Sequence, residues 1–241
     1  MDTVQEASPL PNLGPDIYAR WRVSDIGTIT EQLERRLVLA GVGDVRGARV
    51  LEIGCGDGDL SVLLAKRGAI VTAIDVSPEM IAAARARAAR ENVQIRFDIG
   101  AARKLPFPSE QFDIVVAVTV LCFVSDAAPV FQEIARVLRP GGRLVDGELG
   151  KWSTWAAVRR VRGWLGAALW RRGRFRTAGD LRRLARGSGL VPKAVRSAIY
   201  YPKWNAAARW MAPFDAAFGR WTTFGAAFLS LEAVKPDKPA V

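Results

Sequence analysis

Short unbroken apolar runs alternate along this chain with segments in which apolar positions recur every three or four residues. The unbroken runs read as strands buried on both faces, as in a parallel sheet, and the longer spacing reads as amphipathic helix. In order, the pattern predicts strands at 49–53, 70–74, 93–97, 112–119, 144–149, 191–200 and 222–234. It predicts helices at 17–40, 60–67, from Ser77 to position 90, at 127–138 and at 178–188. Within 17–40, Leu33, Leu37 and Ala40 form the apolar stripe, with Glu31, Glu34, Arg35 and Arg36 outside it. Pro140-Gly141-Gly142 should stop the helix over 127–138. Strands and helices in alternation imply a doubly wound α/β sheet. Segments 151–176 and 203–219 are extra to a minimal sheet, and residues 1–16, with Pro9, Pro11 and Pro15, read as an arm.

The first strand opens onto Gly54-Cys55-Gly56-Asp57-Gly58, and the second ends in Asp75, seventeen positions after the last of these glycines. Alternate glycines let the chain turn tightly and bring its backbone against a ligand. An acid at the tip of the second strand suits the two hydroxyls of a ribose. The spacing is G-x-G-x-G, whereas a dinucleotide site needs G-x-G-x-x-G, and Asp59 stands where the third glycine of that motif would be. Asp57 and Asp59 would repel a pyrophosphate and suit a ligand with a positive centre. A nicotinamide dehydrogenase is disfavoured on the same ground.

Glu52, Gly54, Gly56, Gly58 and Asp75 resemble the first two motifs of the class I S-adenosylmethionine-dependent methyltransferases, in particular their small-molecule members. Leu105-Pro106-Phe107-Pro108 leading to Phe112-Asp113, and then Arg136-Val137-Leu138-Arg139-Pro140-Gly141-Gly142, extend the likeness over 41–149. The resemblance implies a mostly parallel seven-stranded, Rossmann-like sheet with an antiparallel last strand and helical lid insertions. It implies an arm and cap helix over 1–40, a cofactor-binding core over 41–150, a basic insertion over 151–176, and the end of the sheet over 177–241, with a helical insertion at 203–219.

The implied cofactor is S-adenosylmethionine, with S-adenosylhomocysteine as product. Gly54, Cys55, Gly56 and Gly58 would line the turn under its methionine moiety, and Glu52 would orient that turn. Asp75 would take the ribose, Val76 and Met80 would pack on adenine, and the Thr119 carbonyl would receive the ammonium. Arg22 would pair the carboxylate, with Tyr18 beside it. Relatives often place an Asp where Ala101 stands, to accept the adenine amino group. Ala101 cannot do so, while Ala102 still offers a backbone N–H. Losing one such bond costs about 1 kcal/mol. Asp98 is a nearby substitute.

The chain has 241 residues, no histidine and two cysteines, Cys55 and Cys122. It lacks the usual general base and a zinc ligand set, so no metal is expected, and the reduced thiols fit a cytoplasmic setting. No apolar run reaches the ~18 residues of a bilayer span. A base, where the acceptor needs one, must be a carboxylate or a tyrosine. Glu148 is the first candidate because its strand end faces the acceptor pocket in this fold, with Asp146, Asp126, Tyr200 and Tyr201 behind it. Tyr18 is a further catalytic candidate.

Charge divides the chain unevenly, net −3 over 1–150 and +14 over 151–241, and seven of eight tryptophans lie in the second part. Between positions 151 and 176 there are eight basic residues and no acid. Helical spacing puts Trp155, Val158, Val161 and Leu165 on one face and Arg159 and Arg160 on the other. That segment reads as a lid with tryptophan inside and arginine outside, or as a peripheral membrane contact. Nucleic-acid contact is less favoured because no RNA-binding motif accompanies the charge. The reading overall is methyl transfer to a small or amphiphilic acceptor. A catalytically silent cofactor-binding partner protein and a nucleic-acid methyltransferase stand as alternatives, and the oligomeric state is left open.

Overall fold

The computed structural model describes residues 14–237. Most of the arm expected over 1–16 lies outside that range, and the side chain of Tyr18 lies outside the described part as well. Seven strands form one sheet: β1 (Arg49–Ile53), β2 (Ile70–Asp75), β3 (Arg96–Ile99), β4 (Phe112–Val118), β5 (Leu138–Leu149), β6 (Val191–Ala198) and β7 (Phe228–Val234). Their order is β3-β2-β1-β4-β5-β7-β6, with β1 to β5 mutually parallel and β7 antiparallel to both β5 and β6.

Strand alternation divides the core. Val50, Val71, Ile114, Val116 and Val145 point to one face, covered by α2 (Asp25–Val42), α3 (Asp59–Lys66) and α4 (Pro78–Arg90). Leu51, Ile53, Val115, Ala117 and Leu144 point to the other, covered by α5 (Ala128–Val137) and α8 (Ala178–Gly187). Neighbouring positions on a strand thus serve opposite layers, which is why the central strands read as continuous apolar runs.

Three expectations are corrected. The helix expected over 17–40 is two helices, α1 (Pro15–Arg22) and α2, because Ser24 accepts the Gly27 N–H and starts a new helix there. Pro140-Gly141-Gly142 is not outside the sheet but lies within β5, in an irregularity of its pairing with β4 between the Phe112–Leu138 and Ile114–Arg143 pairs. Gly141 and Gly142 exchange backbone hydrogen bonds with Lys235 just beyond β7, which ties that stretch to the sheet. The third strand begins at Arg96, three residues later than expected.

The insertion over 151–176 carries α6 (Thr154–Trp164) and α7 (Ala168–Arg172). Its orientation differs from the expected lid. Trp155, Ala156 and Gly163 face inward, and the Arg159 guanidinium lies between the Trp155 and Trp170 rings, 5.1 and 4.7 Å from their centroids. Val158, Val161, Trp164 and Leu165 face solvent. The later insertion carries α9 (Asn205–Met211), against α2, and α10 (Asp215–Trp221), against β6.

Candidate active site

At the C-terminal edge of the parallel strands, the segments following β1, β2, β3 and β4 enclose a cavity of about 830 Å³. That lies within the range of about 300–1,000 Å³ usual for small-molecule sites, and this edge is where open α/β sheets bind ligands.

The turn after β1 forms one wall. Gly54 and Gly56 have φ of +70° and +53°, which favours glycine at both. A Cβ on Gly54 would strike the Val120 side chain, whereas one on Gly56 meets nothing within 4 Å and would stand in the cavity. Gly58 (φ +78°) is absent from the wall. A Cβ there would meet the Ala84 side chain at 2.8 Å, so this glycine sets the approach of α3 to α4 and lies behind the cavity wall rather than in it, where it was expected.

Asp75 ends β2 with one carboxylate oxygen accepting the Gly56 N–H and the other the Ser77 N–H, both at 2.9 Å. A carboxylate has about four acceptor positions, so two remain for ligand hydroxyls. Cys55, Val76, Met80, Ala101, Ala102 and Thr119 line the same space. Thr119 has φ +52°, an uncommon conformation for a β-branched residue, and its N–H donates to the Gly147 carbonyl at 2.7 Å. Asp98, the substitute for the missing acceptor at Ala101, lies outside the wall, paired with Arg96 at 2.8 Å.

Glu52 sits beneath the turn, buried, with the Ser61 hydroxyl donating to it. Burial pushes its carboxyl up to about 8; the Ser61 bond opposes that shift, and Asp59, Asp75 and Asp57 add to it. Both guanidinium Nη atoms of Arg22 donate to Asp57, at 2.9 and 3.0 Å, and Arg87 donates to it too. Burial works against the Asp57 carboxylate, but Arg22 and Arg87 outweigh it and hold the group below the usual range. Arg35 Nη2 donates to Asp59 at 2.5 Å. Three arginines thus neutralise the two acids, which corrects the expectation that their charge selects the ligand. Arg22 does line the cavity, locked to Asp57.

The opposite wall was not read from the sequence. Glu31, Glu34, Arg35 and Val38 of α2 face Phe123 and Val124, with Arg171, Arg172 and Arg174 beside them. Burial raises the Glu34 carboxyl to about 7, with the Arg159 charge opposing and Glu31 adding.

Of the expected bases among the described residues, none lines this cavity. Glu148 is fully buried, and its Oε2 accepts from Arg176 at 2.5 Å. The same guanidinium nitrogen donates to the Leu121 carbonyl at 3.1 Å, so Arg176 roofs the end of β5 and seals Glu148 away from an acceptor. Asp146 is sealed in with it, Asp126 caps the start of α5 through the Ala128 N–H, and the Tyr200 and Tyr201 hydroxyls meet Ser197 and Thr30.

Residues 51–146 match the family described as Methyltransferase domain. Residues 51–146 are thus similar to a methyltransferase domain, and the sheet has the fold of solved S-adenosylmethionine-dependent methyltransferases. The chain is 43% identical over 102 residues to the Ubiquinone biosynthesis O-methyltransferase of Xylella fastidiosa, covering 41% of this chain and 40% of that one. A Demethylmenaquinone methyltransferase of Tropheryma whipplei is 41% identical over 112 residues, 46% of each chain. The chain spans less than half the length of these curated relatives. The fold of the magnesium protoporphyrin IX methyltransferase of Synechocystis PCC 6803, solved with S-adenosylhomocysteine, superposes with a TM-score of 0.67 at 21% identity, covering 91% of this chain and 93% of that one. S-adenosylmethionine fits the methyltransferase domain's cavity: Gly56 leaves space where a side chain would intrude, Asp75 keeps acceptor positions for a ribose, and Met80 and Val76 offer an apolar surface for a purine.

Proposed function

We propose that the protein transfers a methyl group from S-adenosylmethionine to a hydroxyl oxygen of a small amphiphilic acceptor, with Glu34 receiving the proton. One observation carries this reading: the cofactor cradle and a half-buried carboxyl near neutrality share a single cavity. When bound, the cofactor supplies an activated methyl group. The chain aligns the acceptor behind it, a contribution of ~7–11 kcal/mol in well-oriented systems. The cofactor would give up the methyl from its sulfonium sulfur to the acceptor oxygen and leave as S-adenosylhomocysteine, while the Glu34 carboxylate receives the hydroxyl proton. Phe123, Val124 and Val38 offer an apolar seat for a ring, and Arg171, Arg172 and Arg174 suit an anionic substituent. The name of the first relative, an O-methyltransferase of ubiquinone biosynthesis, points to hydroxylated quinone-like rings as the first acceptors to try.

Calorimetry with S-adenosylmethionine and S-adenosylhomocysteine, with NAD as control, tests the cofactor half. Labelled methyl transfer to hydroxylated rings bearing short alkyl tails tests the acceptor half. Micromolar binding of both sulfur ligands, and transfer lost in Glu34→Gln with binding kept, is the expected result. Absence of cofactor binding overturns the reading. Binding without transfer to any such acceptor favours a silent cofactor-binding partner.

A further inference from the structure

α6 turns its apolar side outward. Val158 and Val161 are about half exposed, while Leu165 is 71% and Trp164 86% exposed. A water-facing helix ordinarily hides such residues, and none of these four is needed to hold α6 in place, since Trp155, Ala156 and Gly163 already do so. Arg160 and Arg162 stand exposed on the same helix. Lys203, over the Trp155 ring at 5.6 Å, adds positive charge from the neighbouring segment. The segment 151–176 has eight basic residues and no acid. No helix among the described residues is long and apolar enough to cross a membrane.

We infer that α6 is a docking face for the surface of an anionic lipid bilayer, its aliphatic and tryptophan side chains entering the interface and its arginines meeting lipid phosphates. An exposed Trp between aliphatic residues, flanked by cations, is the pattern of a helix lying in the interface plane. Charge complementarity favours a bilayer over a second copy of this chain, because two such faces would repel each other. The four apolar side chains favour it over a nucleic acid, whose phosphate backbone offers them nothing to bury against. The location has a consequence for the site. Gly163 of α6 packs against Trp170 of α7, and Arg171 and Arg172 at the end of α7 line the cavity. A docked α6 therefore sets the cavity one short helix from the lipid, within reach of an acceptor dissolved there.

The test is flotation with vesicles of mixed phosphatidylglycerol and phosphatidylcholine, against vesicles of phosphatidylcholine alone. The full chain, the double variant Trp164→Ser/Leu165→Ser and the variant Arg162→Gln are compared. None of these positions lines the cavity, so unchanged cofactor affinity by calorimetry certifies each fold, and the result does not depend on which acceptor is methylated. Binding to the anionic vesicles only, weakened about tenfold or more by the double variant and reduced in Arg162→Gln and at ~0.5 M salt, is expected. Equal flotation of wild type and double variant overturns the proposal, as does no flotation at all. A dimer that the double variant converts to monomer assigns the face to a second copy. RNA binding that survives the double variant and competes with vesicles assigns the charge to nucleic acid.

Discussion

The Asp75 carboxylate accepts the Gly56 N–H at 2.9 Å, tying the end of the second strand to the glycine turn that follows the first. One side chain thereby shapes the floor of the cavity and presents acceptors to it. Asp75→Ala removes both functions. Charged hydrogen bonds are worth about 1.5–3 kcal/mol each, so cofactor affinity should fall by about a hundredfold. Asp75→Asn keeps one acceptor oxygen but sets an NH₂ against one of the two backbone N–H groups, and should lose about tenfold. Calorimetry on both variants checks the ranking.

Gly56 and Gly58 share a left-handed backbone and differ in what surrounds them. At Gly56 an added methyl enters open cavity, so Gly56→Ala should abolish cofactor binding with a modest loss of stability, about 1 kcal/mol. At Gly58 the methyl meets Ala84, so Gly58→Ala should cost more, about 2–3 kcal/mol, and lower the unfolding midpoint. Paired thermal melts and titrations on the two variants separate ligand contact from helix packing.

The contrast between these glycines also marks what the sequence made legible. Gly54, Gly56, Asp75, Val76 and Thr119 lie at the ends of parallel strands, where position along the strand dictates position in the site, so short-range spacing suffices to find them. Glu34 belongs to α2, where local periodicity marks it as an outward residue. Only the path of α2 across the strand ends turns that outward face into a cavity wall. Glu148 fails in the opposite direction. It stands at a strand end as expected, but Arg176, distant along the chain, covers it, and no local pattern announces that ion pair. On α6, spacing identified an apolar side, but Arg159 filled the inward position between two tryptophans and left that side to solvent.

Buried acids give the stability a pH dependence, Glu52 and Glu148 among them. Burial raises Glu52 to about 8, and it raises Glu148 to about 7 although the Arg176 charge opposes it. Both stand above the ordinary glutamate value of 4.5, so the folded chain holds protons that the unfolded chain releases. Their favourable contribution is complete below about pH 4.5. It is lost as pH rises through 7 for Glu148 and 8 for Glu52. Glu52→Gln keeps an acceptor for the Ser61 hydroxyl and cannot ionise, so its unfolding midpoint should fall less than wild type between pH 5 and about 9. Glu148→Gln resembles the protonated carboxyl that burial favours, so it should cost little below pH 7 and flatten the fall in midpoint around that pH. Melts across that pH range distinguish the two; a wild-type curve as flat as that of Glu52→Gln would remove Glu52 as the cause.

Glu34 makes a prediction in catalysis rather than stability. As a proton acceptor it must be ionised, and its carboxyl lies at about 7. With a saturating cofactor, kcat/KM should therefore rise about tenfold per pH unit below 7 and level off above it. Glu34→Gln should erase that limb and lower the plateau by about 10²–10⁴. An acceptor that ionises by itself would leave a limb of similar shape, so a second variant decides the assignment. The Arg159 charge lowers the Glu34 value against the larger effect of burial. Removing it in Arg159→Gln should move the limb to higher pH, whereas a limb belonging to the acceptor would stay where its own hydroxyl titrates. Cofactor affinity equal to wild type would show that the variant had kept its fold.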